Sequence, residues 1–165
     1  MNVYLAGSWL RKDELSAYRD VIETADSRIT VVSQWLNGAD GPHSAFGVQG
    51  RDYFERECMR DAADVDRCDV FVLFANEPTK PTIGGGRHWE NGYAYAKQKT
   101  CIVVGEQENI FYYMPGMFHV DSFPTLIPVL SGLATALEHS YLETPPYEFI
   151  QQRLGPLEDA VSCSG

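Results

Sequence analysis

The sequence predicts an α/β fold with a parallel sheet of about five strands. Short apolar runs alternate along the chain with segments that have helical spacing, and this alternation builds βαβ units with right-handed crossovers. The runs at 70–74 and 101–104 are continuously apolar, as is typical of strands that are buried on both faces. We expect one domain over residues 1–154 and a flexible C-terminal tail over residues 155–165.

The composition indicates a globular chain whose partner is a small molecule. Of its 165 residues, 44% are hydrophobic and 12% are aromatic, which is enough to form a packed core. The formal net charge of −10 disfavours binding to nucleic-acid polymers and to anionic membranes, because both are negatively charged. A small charged ligand is not excluded by this balance, since one arginine and a helix N-terminus are enough to hold it.

Neither a targeting segment nor a metal site is visible in the sequence. The start of the chain lacks the basic flank and the long apolar run of a signal peptide or a transmembrane span, so we expect a cytoplasmic location. The four cysteines and four histidines show no metal-ligand spacing. No metal and no cofactor are expected.

The first part of the chain predicts two strands and two helices. Residues 3–6 and 29–32 are predicted strands, because they are apolar or β-branched. The helix between them has an apolar face formed by Leu15, Tyr18, Val21, Ile22 and Ala25. Residues 34–50 form a long glycine-containing stretch whose aromatic side chains favour a lid. A helix over about 51–67 follows, with an apolar face formed by Phe54, Cys58, Ala62 and Val65.

The later part of the chain continues the alternation. Strands are predicted at 70–74 and 101–104, with a shorter one at 118–120. The helix between the first two has helical spacing of Trp89, Tyr93 and Ala96. A last helix begins near Pro124 and has an apolar face formed by Leu126, Leu130, Leu133 and Leu137.

A run of three glycines, Gly84, Gly85 and Gly86, joins the strand at 70–74 to the helix that carries Glu90. Such a run lets the backbone approach a ligand closely. Glu90 is expected in the first turn of the helix, where the dipole favours the ionised carboxylate. A charged carboxylate beside this loop is suited to attack an electron-poor carbon, as in glycosyl transfer. A plainer interpretation is that Glu90 only complements the helix dipole.

Three stretches of the chain follow predicted strands and are expected to meet at one edge of the sheet. They are residues 7–9, 76–90 and 106–114. In open parallel sheets, ligands bind beyond the carboxyl ends of the strands. This convergence favours a functional role for Glu90.

Three motifs occur in a characteristic order. Residues 3–9 combine a short strand with a turn of Gly-Ser-Trp, Asp61 and Asp69 are separated by seven residues, and Trp89–Ala94 carries the glutamate followed by Asn-Gly-Tyr-Ala. Over residues 2–105 this order resembles the nucleoside 2-deoxyribosyltransferase family, in which these motifs form the nucleobase-contacting turn, an aspartate pair and the nucleophile motif.

The resemblance implies a flavodoxin-like or Rossmann-like three-layer sandwich that cleaves the N-glycosidic bond of a 2′-deoxynucleoside. The deoxyribosyl group would pass to an acceptor base or to water through a covalent intermediate on Glu90. Tyr4 would orient that carboxylate by a hydrogen bond, and Asp69 would contact the base and help to transfer its proton. Trp9 would stack on the base, and Gly7 would leave room for it.

The resemblance also implies a set of substrate-binding residues. This set comprises Ser8 in the first turn, the glycines Gly84, Gly85 and Gly86, His88 beside them, Arg11 for a 5′-phosphate, and Asn109 from a neighbouring subunit. A homodimer or a higher homo-oligomer follows by the same analogy. Plain alternatives exist for several residues: Tyr4 as a core aromatic, Trp9 as cover for the sheet, Asp69 as a strand cap or a partner of Arg67, and His88 and Arg11 as surface residues.

One position departs from the family pattern. Six residues before the nucleophile the transferases usually carry a base-contacting aspartate, and here that position is Gly84. The preferred base and transfer to an acceptor base therefore stay open. Two alternatives follow: a 2′-deoxynucleoside 5′-monophosphate N-hydrolase, which releases free base and deoxyribose 5-phosphate, and a nucleotide-binding module without catalysis.

Overall fold

The computed structural model describes residues 1–37, 50–75, 85–106 and 108–140. Its five strands are β1 (Asn2–Ala6), β2 (Thr30–Val31), β3 (Val70–Phe74), β4 (Thr100–Val104) and β5 (Met117–Val120). They form one parallel sheet in the order β2-β1-β3-β4-β5. The predicted parallel sheet is confirmed, and its order reverses between β1 and β3, which makes a crevice at the carboxyl ends of these two strands.

Within the described ranges, four helices cover the two faces of the sheet. They are α1 (Lys12–Ala25), α2 (Arg51–Arg67), α3 (Gly86–Ala96) and α4 (Phe123–Ser140). Helices α1 and α4 contact each other, as do α2 and α3, so the molecule has the predicted three layers. Short 3-10 turns at Trp9–Arg11, Gln34–Asn37 and Ile110–Tyr113 follow the first, second and fourth strands.

The hydrophobic core lies on both faces of the central strands. Every residue of β3 is buried, as are the last four residues of β1 and of β4. Leu126, Leu130 and Leu133 of α4 are buried against the sheet as predicted. The second strand is shorter than predicted, because only Thr30 and Val31 pair with β1.

The helix predicted from the spacing of Trp89, Tyr93 and Ala96 is present as α3. Trp89 is 57% exposed and stacks on Tyr93, with ring centroids 5.1 Å apart, so these two rings lie along the outside of the helix. The buried residues of this helix are Arg87, Asn91 and Ala94.

Three residues of the predicted apolar faces are exposed. Val21 and Ala25 of α1 and Cys58 of α2 face solvent. In α2 the buried positions are Asp64 and Val65, with Cys68 buried just after the helix. The predicted apolar face of α2 was wrong at Cys58. The inner face of this helix carries the buried carboxylate of Asp64, and apolar spacing does not detect a carboxylate.

Several predictions fall on residues outside the described ranges. They concern the lid over residues 38–49, the turn and glycine at 76–84, and the end of the domain with its tail at 141–165. Within the described ranges, no helix has both the length and the apolar character needed to cross a membrane. No set of three or more His, Cys, Asp or Glu side chains in those ranges is placed to hold a metal ion.

Gly7 follows β1 and permits close packing of α1. A Cβ atom at this position would lie 2.7 Å from Cδ2 of the fully buried Leu15. Real Cβ atoms do not approach so closely, so one of the two groups would have to move. The missing side chain of Gly7 therefore makes room for Leu15, and the expectation that it also leaves room for a bound base stays a prediction.

We expect Gly7→Ala to lower the free energy of unfolding by about 1–2 kcal/mol through overpacking. Leu15→Val removes the clashing methyl group, so the double variant should be more stable than the sum of the two single effects. Chemical denaturation of the four proteins measures this coupling. Strictly additive effects would show that Gly7 and Leu15 do not compete for the same space.

Candidate active site

Tyr4 lies at the centre of the candidate site. Its side chain is fully buried and stacks on Phe71 of the neighbouring strand β3, with ring centroids 5.6 Å apart and planes 9° from parallel. The hydroxyl group donates a hydrogen bond of 2.8 Å to Oε1 of Glu90 in the first turns of α3. The contact that the resemblance implied between these two residues is therefore present, and it joins β1 to α3.

Burial shapes the ionisation of both partners. It raises the pKa of Glu90 to about 7; the Tyr4 hydrogen bond acts against this shift, and the charge of Asp61 adds to it. Burial also raises the pKa of Tyr4 well above 10.0, and the nearby charge of Glu90 raises it further. Tyr4 thus keeps its proton and serves as a hydrogen-bond donor. Glu90 is poised to change its charge near neutral pH.

Asp61 of α2 is a site residue that the sequence reasoning missed. Burial raises its pKa to about 6 despite the neighbouring Arg60, whose guanidinium lies 3.3 Å from Oδ1. The charge of Asp61 acts on both Tyr4 and Glu90. Two carboxyl groups with raised pKa values therefore share one region, as in sites of general acid catalysis. The signal was available, because Asp61 is the first aspartate of the pair that includes Asp69.

Asp69 lies at the opposite edge of the sheet from Gly85 and Gly86. It immediately precedes β3, and its Oδ2 atom accepts the backbone N–H of Asn2 at 2.7 Å. Because the strands are parallel, this contact marks the amino edge, whereas Gly85 and Gly86 follow the carboxyl ends. In this structure Asp69 links the starts of β1 and β3, and its expected contact with the base stays a prediction.

The turn after β1 holds Ser8 and Trp9 at the carboxyl edge. The buried Ser8 accepts the backbone N–H of Leu10 through its hydroxyl group at 3.3 Å, so it caps the following 3-10 turn. Trp9 is half-buried against Trp35, with ring centroids 5.8 Å apart, and the Lys12 ammonium group lies 4.9 Å from the ring centroid. Stacking of Trp9 on a base stays a prediction.

Arg11 connects two loops at this edge. Its guanidinium makes two hydrogen bonds to the Glu14 carboxylate, at 2.8 and 2.7 Å, and donates another of 2.7 Å to the carbonyl of Ala75. The latter residue directly follows β3. These bonds tie the turn after β1 to the end of β3, and the expectation that Arg11 receives a 5′-phosphate is not supported by this geometry.

A second polar network joins the start of α3 to the loop after β4. The buried Arg87 bonds Oε1 of Glu108 at 2.9 Å, and the Tyr112 hydroxyl lies 3.0 Å from His88 Nδ1. Asn109 caps the next 3-10 turn by accepting the N–H of Phe111 at 3.0 Å, and its amide nitrogen lies 3.5 Å from His88 Nδ1. Asn109 therefore contacts its own subunit's helix α3.

Gly85, Gly86 and His88 lie at the start of α3, where the sequence predicted a binding surface. Burial and the Arg87 charge lower the pKa of His88, so its ring is neutral at pH 7. Gly85 and Gly86 are exposed, and a Cβ on either would meet nothing within 4 Å among the described residues. Packing against the described residues therefore does not require glycine at these two positions, and close approach of a ligand to them stays a prediction. Gly84 lies outside the described residues.

The parallel sheet with helices on both faces is an α/β sandwich, and Glu90 and Asp61 are two carboxyl groups with raised pKa values beside Tyr4 of β1. The sequence model of the family described as Nucleoside 2-deoxyribosyltransferase matches residues 3–130. The chain belongs to this family. No curated protein sequence matches the chain.

Two solved structures are similar to this one. A 2-deoxyribosyltransferase from Bacillus psychrosaccharolyticus has 14% sequence identity and a TM-score of 0.57, covering 77% of this chain and 90% of its own. A CMP N-glycosidase, BcmB, from Clostridium botulinum has 18% identity and a TM-score of 0.48, covering 79% of this chain and 98% of its own. At this identity the likeness to the transferase shows a shared fold.

The raised pKa of Glu90 predicts how stability depends on pH. Between its ordinary value of 4.5 and about 7, the folded state binds more protons at Glu90 than the unfolded state does. The free energy of unfolding therefore falls as pH rises through this window. We expect Glu90→Gln, which does not titrate, to be more stable than the native chain at about pH 8 by on the order of 1–3 kcal/mol.

Thermal and chemical unfolding at about pH 4 and about pH 8 measure this difference. Glu55→Gln makes the same chemical change at an exposed position of α2 and should show no such pH-dependent gain. Equal stability of Glu90→Gln and the native chain at both pH values would mean that Glu90 does not carry a burial penalty.

Proposed function

We propose that this protein cleaves the N-glycosidic bond of a 2′-deoxynucleoside through a covalent deoxyribosyl intermediate on Glu90. Membership of the family indicates an N-glycosidase or deoxyribosyltransferase. The observation that carries the finer proposal is the hydrogen bond from the buried Tyr4 to Glu90 at the β1/β3 crevice. It holds the carboxylate in one orientation beside a second acid, Asp61.

In the first step, a carboxylate oxygen of Glu90 attacks C1′ of the bound sugar. The bond from C1′ to the base nitrogen breaks, and its electron pair leaves with the base. Positive charge develops on the sugar in this step, so a nearby anion stabilises the transition state. Tyr4 holds Oε1 of Glu90 and leaves the other oxygen to attack.

Asp61 supplies the proton that the leaving base needs. Its raised pKa of about 6 leaves about a tenth of the group protonated at pH 7, far more than an aspartate with the ordinary pKa would keep, and a general acid must carry its proton. After the proton moves to the base, Asp61 is a carboxylate. In the second step it takes a proton from water or from an acceptor base, which attacks C1′ and releases Glu90.

The arginines near the crevice favour a substrate without a 5′-phosphate. Arg11 binds the Glu14 carboxylate and the Ala75 carbonyl, and Arg87 binds the Glu108 carboxylate. A phosphate would have to compete with these internal anions for either side chain. The 5′-monophosphate N-hydrolase is therefore the second candidate, and assembly into a homo-oligomer stays a prediction from the resemblance.

We expect Glu90→Ala to abolish the release of free base, because no carboxylate is left to attack C1′. Deoxycytidine, deoxyadenosine and their 5′-phosphates are incubated with the protein and a free acceptor base, and the products are separated by chromatography. Transfer yields a new nucleoside, hydrolysis yields free base and sugar, and a binding module yields neither. Glu55→Ala is the matched control and should retain full activity.

Mass spectrometry of the native protein after rapid quenching should show an adduct of one deoxyribosyl group, located on the peptide that contains Glu90. The Glu90→Ala protein should fold normally by circular dichroism and still bind the nucleoside by calorimetry. Base release that persists undiminished in Glu90→Ala would contradict the proposal.

The role of Asp61 is tested with two leaving groups. Asp61→Asn should lower kcat/KM for a neutral-base deoxynucleoside by about 10²–10⁴-fold, the usual range for a lost general acid. The same variant should act almost normally on 7-methyl-2′-deoxyguanosine, because its cationic base leaves without receiving a proton. Steady-state kinetics with both substrates measure this selectivity. An equal loss with both would show that Asp61 is not the proton donor.

A further inference from the structure

Asp64 is a fully buried carboxylate one helical turn after Asp61 on α2. It accepts two hydrogen bonds from Gln34, one from the backbone N–H at 2.7 Å and one from the side-chain amide at 2.8 Å. The guanidinium of Arg67 makes a further short ion pair with it. A buried charge needs such partners to stay ionised. The carboxylate of Asp64 is therefore paired with a cation and shielded from solvent.

We propose that Asp64 is a positioning residue for the cleavage reaction: its buried charge holds the leaving-group proton on Asp61 until the base departs. The side chains of residues three apart on a helix lie on the same face, about 5–6 Å apart at Cβ. At that separation, two negative charges in a protein interior oppose each other strongly. This inference rests on the proposed function, because it requires Asp61 to act as the acid.

The other charged groups around Asp61 determine whether its protonated or its ionised form is favoured. On α2 these are Arg60 and Glu57, which form an ion pair of 2.6 Å with each other. The charge of Asp61 also acts on Glu90 of α3 and on the Tyr4 hydroxyl of β1, which donates its hydrogen bond to Glu90. Arg60 favours the ionised form of Asp61, whereas the charges of Asp64 and Glu57 raise its pKa.

Because Asp64 is buried, its charge acts on Asp61 more strongly than the charges of its exposed neighbours do. The side chain of Asp64 is 0% exposed, whereas Arg67, its cationic partner, is 53% exposed. Solvent screens the half-exposed cation and leaves the buried anion largely unscreened. The field of Asp64 also reaches the Tyr4 hydroxyl. The pair as a whole therefore acts on the site as a net negative charge.

A purely structural role for Asp64 makes a different prediction. Its bonds to Gln34 tie the 3-10 turn Gln34–Asn37 to α2, and loss of that tie would lower activity with every substrate. Loss of the charge would instead change only the proton affinity of Asp61. The dependence of kcat/KM on pH, measured with a substrate whose base is neutral and with one whose base is cationic, separates these cases.

The test uses Asp64→Asn and the dependence of kcat/KM on pH. With a neutral-base deoxynucleoside, activity at high pH falls as Asp61 loses its proton. We expect this alkaline limb to move to lower pH by about 0.5–1 unit in Asp64→Asn, while the profile for 7-methyl-2′-deoxyguanosine stays in place. Asp52→Asn, an exposed substitution on the same helix, should move neither profile.

Arg67→Gln provides a second variant that does not disturb the core. Arg67 is half-exposed, and its loss leaves the charge of Asp64 less compensated, so the alkaline limb should move slightly to higher pH. An unchanged limb in both variants would overturn the inference, as would an equal loss with both substrates in Asp64→Asn. If Asp64→Asn does not fold, the direction of the shift in Arg67→Gln decides.

These outcomes are distinct from a failure of the proposed function. If the native protein releases no base, or if Asp61→Asn slows both substrates equally, Asp61 is not the acid and the proposed function fails. Suppose instead that Asp61→Asn slows only the neutral-base substrate, and that the alkaline limb of kcat/KM stays in place in Asp64→Asn and Arg67→Gln. This result would refute only the role of Asp64.

Discussion

The structure depends on one hydrogen bond between two buried groups, from the Tyr4 hydroxyl to the Glu90 carboxylate. Removing a carboxyl group from water is unfavourable, and one donor offsets only part of that loss. The pKa of Glu90 consequently stays near 7. The burial of Glu90 therefore lowers the stability of the folded protein. It also leaves a carboxylate that is oriented by Tyr4 and sparingly hydrated, as the proposed nucleophile requires.

The topology of the sheet explains why two acids meet. Strands β1 and β3 are neighbours, and helices α2 and α3 pack side by side on the face that carries Tyr4. Asp61 comes from α2 and Glu90 from α3, so each acid sits on a rigid element. Their surroundings differ, because an arginine lies beside Asp61 and a tyrosine beside Glu90, and the proposed reaction assigns them different parts.

The carboxyl edge of the sheet is held together by charged side chains. Arg11 joins the turn after β1 to Ala75 at the end of β3, and Arg87 joins the start of α3 to Glu108 after β4. Three loops that follow adjacent strands are thereby fixed to one another. Such internal pairing keeps the crevice in shape, and it also occupies the cations that an anionic ligand would otherwise attract.

Sequence alone determined the alternation of strands and helices, the parallel sheet and the place of Glu90 at the start of α3, because hydrophobic period and chain order are local properties. Tertiary structure decided where each aspartate of the pair lies. Asp61 and Asp69 differ by eight positions, but one is within a helix and the other at the amino edge of the sheet. Likewise, only packing shows that Gly7 makes room for Leu15 and that Trp89 faces outward. The direction of a side chain and the residues that it contacts depend on distant parts of the chain.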